Sequence, residues 1–74
     1  MTSSYFEIVR TSHPEKPWLA RFIANGSVVF MTPNYSRKVG AERAVMSMAR
    51  VFLPEADWDA DVLPLVEYVD ARRR

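Results

Sequence analysis

The chain has 74 residues, is 49% hydrophobic and 12% aromatic, contains no cysteine and a single histidine, and carries a formal net charge of +1. That length makes one small domain burying only about 60% of its unfolded surface, and the apolar content excludes a disordered segment. Without cysteine there are no disulfides, thiolate metal sites or thiol catalysis, and a lone His13 excludes multi-histidine metal sites and leaves little room for a serine triad.

Taken in chain order, residues 5–10 (YFEIVR) alternate as a strand, with Phe6 and Ile8 on one face. Residues 11–17 (TSHPEKP) form a connector broken by two prolines. Residues 18–24 (WLARFIA) make a second strand, and Asn25-Gly26 suits a two-residue type I′ turn, whose central residues both need positive φ. Residues 27–32 (SVVFMT) return as the third strand. A regular hairpin register pairs Ala24 with Ser27, Phe22 with Val29 and Ala20 with Met31. Trp18 shares the face of Phe22 and Ala20, while Phe30 falls on the other face with Leu19, Arg21 and Ile23. Ser36 is the expected N-cap of a helix. Its apolar face is Ala41, Ala44, Val45, Met48, Ala49 and Phe52, and Pro54 ends it. Residues 64–70 (PLVEYVD) alternate again as a last strand. The order is β-β-β-α-β, an α+β fold with one helix packed on an antiparallel sheet. The domain divides into a core unit at 5–53, an acidic loop at 54–63, the last strand at 64–70 and a basic tail at 71–74.

The small net charge conceals a dipole along the chain. Seven bases face three acids through Pro54, six acids and no base lie between Glu55 and Asp70, and Arg72, Arg73 and Arg74 close the sequence. No apolar run approaches the roughly 20 residues that span a bilayer. Residues 1–10 lack the basic start and long apolar stretch of a secretory signal. The expectation is a soluble cytoplasmic domain with no membrane partner.

These residues together resemble the YegP-like family, small bacterial and archaeal domains of unknown function. The resemblance is carried by FEI at 6–8, ANG at 24–26, Tyr35-Ser36 with Lys38, Ala41, Ala44 and Val45, and the interval from Gly26 to Tyr35. It covers residues 5–52. The sequence departs from the family in a longer, proline-rich connector, in a second strand one residue shorter before ANG, and in Arg37 and Glu42, which stand where smaller or apolar residues are expected. The tail from Pro54 matches no family motif. The resemblance implies three antiparallel strands, a helix and a final strand, with two units sharing one sheet by exchanging C-terminal strands. This chain holds one unit, so the second would come from another copy, and Leu65, Val66, Glu67, Tyr68 and Val69 would be the exchanged strand of a homodimer. Size argues independently for oligomerisation. The family supplies no catalytic residues and no cofactor.

Several motifs invite a chemical reading. Arg37 and Lys38 at the helix start, where the dipole disfavours cations, form with Arg43 and Arg50 a candidate anion or partner surface; the plainer reading is a solvated face paired with the acidic loop. Asp57, Asp59 and Asp61 resemble a calcium loop only superficially, because Val62 and Tyr68 stand where glycine and glutamate are needed. The plainer reading of that stretch is a solvated linker. Trp18, Phe22 and Phe30 with Arg21 suggest a base-stacking platform, though packing accounts for most aromatics on a small sheet. His13 lacks an orienting partner in sequence, and Thr2, Ser3, Ser4 and Ser12 lack a nucleophile context. The hairpin turn Asn25-Gly26 is scaffold. No metal and no cofactor are expected. The function expected is a non-enzymatic, homodimeric accessory or protein-interaction module. A nucleic-acid binder using the basic helix start and tail is the alternative, and an enzyme acting on an acidic or phosphorylated small molecule ranks last.

Overall fold

The computed structural model describes residues 4–72. Strands β1 (Ser4–Arg10), β2 (Trp18–Ala24) and β3 (Ser27–Met31) are followed by helix α1 (Lys38–Phe52) and strand β4 (Val66–Asp70). The sheet order is β3-β2-β1-β4. Neighbours are antiparallel except at one seam, where β4 runs parallel to β1 with Phe6 opposite Val66 and Arg10 opposite Asp70. The fold is therefore α+β in the expected element order, with a mixed rather than wholly antiparallel sheet.

Alternation decides what each strand buries. Phe6, Ile8, Ala20 and Phe22 meet Ala41, Val45, Met48 and Ala49 of α1 in the core, joined by Val62. Phe6, Ile8, Val45 and Val62 are fully buried, each contributing about 1.5–3 kcal/mol. On the opposite face Glu7 lies across from Arg21 and accepts its guanidinium, beside Val9 and Ile23.

The turn at Asn25-Gly26 has φ of 53° and 79°, both in the left-handed region that a type I′ turn requires. A Cβ at Gly26 would meet no atom, so the cost of substitution is conformational alone. Gly26→Val should lower stability by about 1–2 kcal/mol, read as a lower midpoint in urea with an unchanged slope.

The β2–β3 register departs from a regular hairpin. Ala24 pairs with Ser27 and Ile23 with Val28, but Phe22 then pairs with Phe30 and Arg21 with Met31. Val29 is the extra residue of a β-bulge, which reverses the side-chain parity beyond it. The expected pairings Phe22–Val29 and Ala20–Met31 are thus replaced. Phe30 moves to the helix side, within 6.3 Å of the Phe52 ring. Past the strand, the Thr32 hydroxyl accepts the Ala20 amide at 3.0 Å and the Thr32 amide donates to the Ala20 carbonyl at 2.9 Å. Pairing resumes beyond Pro33 as a bridge between Trp18 and Tyr35.

Ser36 does not cap the helix. The N-cap is Arg37, in extended conformation and without a side-chain cap bond. Gly40 accounts for the close entry of the chain, since a Cβ there would approach the Cβ and ring of Tyr35 at 3.0 Å.

The segment expected as a solvated linker is folded. Trp58–Val62 forms a π-helical turn and Leu63–Leu65 a 3-10 turn, so Leu65 precedes β4 rather than belonging to it. The Asp57 carboxylate accepts the Ala60 amide at 3.0 Å, and Asp61 accepts the Asp57 amide at 2.8 Å. These two local bonds orient the turn so that Val62 points into the core.

Candidate functional site

Helix α1 packs mainly over β2 and more lightly on β1, which leaves the β4 side of the sheet uncovered. A cleft of about 380 Å³ opens there, between Val39 and Met46 of the helix and Val66 and Tyr68 of β4, with Ile8 as its floor and Trp58 at one end. It adjoins a smaller cleft of about 120 Å³ between Arg50, Leu53 and Trp58, through the shared Met46 and Trp58. At the opposite end Tyr68 and Ile8 also border a third, of about 260 Å³, flanked by Arg10, Lys38 and Asp70. The three form a groove along one flank of α1.

Several of its polar groups engage one another. The Tyr68 hydroxyl donates to Glu42 at 3.1 Å, and the Lys38 ammonium lies 4.4 Å from the Tyr68 ring centroid, a cation–π distance. Arg10 covers Trp18 at 5.4 Å. Asp70 takes a two-pronged contact from Arg72, whose guanidinium holds its carboxyl well below the usual carboxylate range. Partial burial, the bond to Glu42 and the charge of that carboxylate together raise the Tyr68 pKa above its ordinary value of 10.0. At neutral pH the phenol is therefore a donor, a poor proton acceptor for any chemistry.

A measurable consequence follows from that direction. In an ultraviolet titration the step that belongs to Tyr68 should lie above the ordinary phenol value of 10.0. Glu42→Gln should bring that step down, and Tyr68→Phe should remove it. Because the folded state holds the phenol proton more tightly, the associated stability is intact below pH 10 and declines as pH rises through the folded-state pKa.

The basic residues singled out from sequence do not converge. Arg37 and Lys38 stand at the helix start and Arg50 in its last turn, about 18 Å along the axis from Lys38. Arg43 and Arg50, seven residues apart, share one helical stripe with Val39 and Met46 and border the groove. That spacing suits a line of charge, not a pocket for one anion. Arg72 is engaged by Asp70, and Arg73 and Arg74 lie outside the described residues, as do Thr2 and Ser3.

Other sequence motifs resolve into scaffold. The His13 ring Nδ1 accepts the amides of Glu15 and Lys16 at 3.2 and 3.0 Å, closing its exposed loop. Two of the three loop aspartates turn onto the amides of their own turn, and among the described residues no group of three or more His, Asp or Glu side chains is placed to hold a metal ion. Trp18 and Phe22 pack on the core, and Phe30 joins them on the helix side. The platform is thereby dismantled.

Sequence reasoning missed Trp58, Tyr68, Glu42 and Met46 as parts of a groove. The available signal was a second stripe on the helix, Val39-Arg43-Met46-Arg50, whose two apolar members are left exposed at 44% and 36%.

No protein-family model matches the chain. Curated proteins and solved structures likewise give no significant match. Among the described residues no helix is long and apolar enough to cross a membrane.

Proposed function

We propose that this protein is a non-enzymatic homodimer that works as an accessory or interaction module. The observation that carries the reading is the apolar surface left open at β3, where Val28, Val29, Phe30 and Met31 are each about half exposed. An uncharged apolar edge strand of this kind is a pairing site, and a domain of this size gains most from a second copy. The likeness to YegP-like domains, which share a sheet between two units, points the same way.

The exchange of Leu65–Val69 that this likeness implies would keep every β1–β4 pairing and change only the path of residues 54–63. That path carries Val62 into the core and is held by its own aspartate bonds, which favours β4 in its own sheet. Val9 and Val69 are partners across β1 and β4, and the chain has no native cysteine. After oxidation of a Val9→Cys, Val69→Cys chain, the expected disulfide lies within one chain; one between chains would establish exchange.

Sedimentation at micromolar concentration should show a dimer, and the melting temperature should rise with protein concentration. A folded monomer with a concentration-independent melt overturns the reading. A second reading, binding of a single-stranded nucleic acid, draws on the Arg43–Arg50 stripe beside Trp58. It requires affinity for mixed DNA or RNA that falls steeply with salt, and salt-insensitive or absent binding removes it.

A further inference from the structure

The geometry points to β3 as the seam of the homodimer, two copies joining edge to edge in antiparallel fashion across a two-fold axis perpendicular to the sheet. The inference rests on the homodimeric reading and names its interface.

Three observations converge on this edge. First, the core does not close before reaching it. A row of rings runs outward from Phe6 to Phe22 (4.9 Å), on to Phe52 (4.6 Å, stacked) and then to Phe30 (6.3 Å). The row ends at two rings that are 37% and 47% exposed. Second, both faces of the edge are apolar. The bulge sends Phe30 to the helix side, while Val28 and Met31 stand on the other side, opposite Ile23 and Arg21. Third, the edge is compatible with its own copy. Ser27–Met31 contains no charged residue and no proline, so self-pairing sets no like charges together. The opposite edge, β4, carries Glu67 and Asp70 and would repel itself.

A two-fold axis perpendicular to the sheet puts both helices on the same face. Phe30 and Phe52 of each copy then flank the seam above the sheet, and Val28 and Met31 flank it below. The bulge shortens the run available for regular backbone pairing, so side-chain burial supplies most of the cohesion. The product is one continuous eight-stranded sheet whose outer edges are the two acidic β4 strands, a closed assembly.

The test uses opposite charges at one position. Val29 is 52% exposed in the single chain, so Val29→Lys and Val29→Glu are expected to fold, checked by circular dichroism. Each variant alone should lose dimer affinity by about a hundredfold, the cost of a charge in a dry seam facing its like. Mixed in equal amounts, the two should recover a heterodimer. Amide exchange on the unaltered protein provides a second readout, in which protection of Val28–Met31 should rise with protein concentration. Dimers that survive both substitutions, or β3 amides whose protection ignores dimerisation, overturn the seam while leaving the homodimer standing. An unaltered protein that stays monomeric overturns both.

Discussion

Val45→Asp should unfold the protein. Val45 is fully buried at the middle of α1, within the cluster that also holds Phe6, Ile8, Ala41 and Met48. A carboxylate there has no cation to meet, and the cost of burying it exceeds about 4 kcal/mol. A domain this small has of order 5 kcal/mol in total, so the expected far-ultraviolet spectrum at room temperature is that of an unfolded chain. Met48, 5% exposed one turn further on, should respond in the same way. Arg43→Asp and Ser47→Asp sit on exposed positions of the same helix and should shift stability by no more than about 0.5 kcal/mol. The contrast reads the rotation of the helix directly, and the opposite pattern would place the wrong face against the sheet.

Val62→Asp is the second large effect, and the less expected one. The residue lies among Asp57, Asp59 and Asp61, where a further acid looks harmless. It is nevertheless 1% exposed and packed in the core, so the substitution should remove most of the stability, as at Val45. Asp59→Asn, on an exposed side chain of the same turn, should melt within a degree or two of the parent protein. Deleting residues 62–74 removes both Val62 and the strand that completes β1, and should abolish folding. If Val62→Asp melts like the parent, the segment from Trp58 is a surface linker after all.

The parts of this fold legible in the sequence are those that local chemistry decides. Alternation places β2 at Trp18–Ala24, Asn25-Gly26 adopts the positive φ pair that a tight hairpin demands, and Pro54 stops the helix just beyond Phe52. The bulge was not legible, because Val28, Val29 and Phe30 are all apolar and an apolar run carries no parity. Ser36 has the better cap chemistry, yet the chain is held by the Trp18–Tyr35 bridge and by the approach of Gly40 to Tyr35, and the helix begins two residues later. Val62 was hidden by its acidic neighbours, of which Asp57 and Asp61 accept amides of their own turn while remaining exposed. The groove beside α1 depends on where the helix lies across the sheet, a tertiary fact that no window of residues contains. The basic side chains were visible individually, but only the fold separates them into a line.

The parallel seam sets the order in which the molecule can be assembled during synthesis. Phe6 takes one partner, Phe22, from residues translated soon after it, and the other, Val66, from sixty positions downstream. Strands β1, β2 and β3 can therefore associate while the helix is still being made, since their loops are short and cheap to close. The far side of β1 has to wait. Until Val66–Asp70 leave the ribosome, the nascent chain exposes two open strand edges, β3 and β1, where the finished chain exposes β3 and the acidic β4. Aggregation risk is thus greatest in this interval, when unpaired apolar strands are the characteristic hazard, and the pace of translation across residues 32–70 determines how long it lasts.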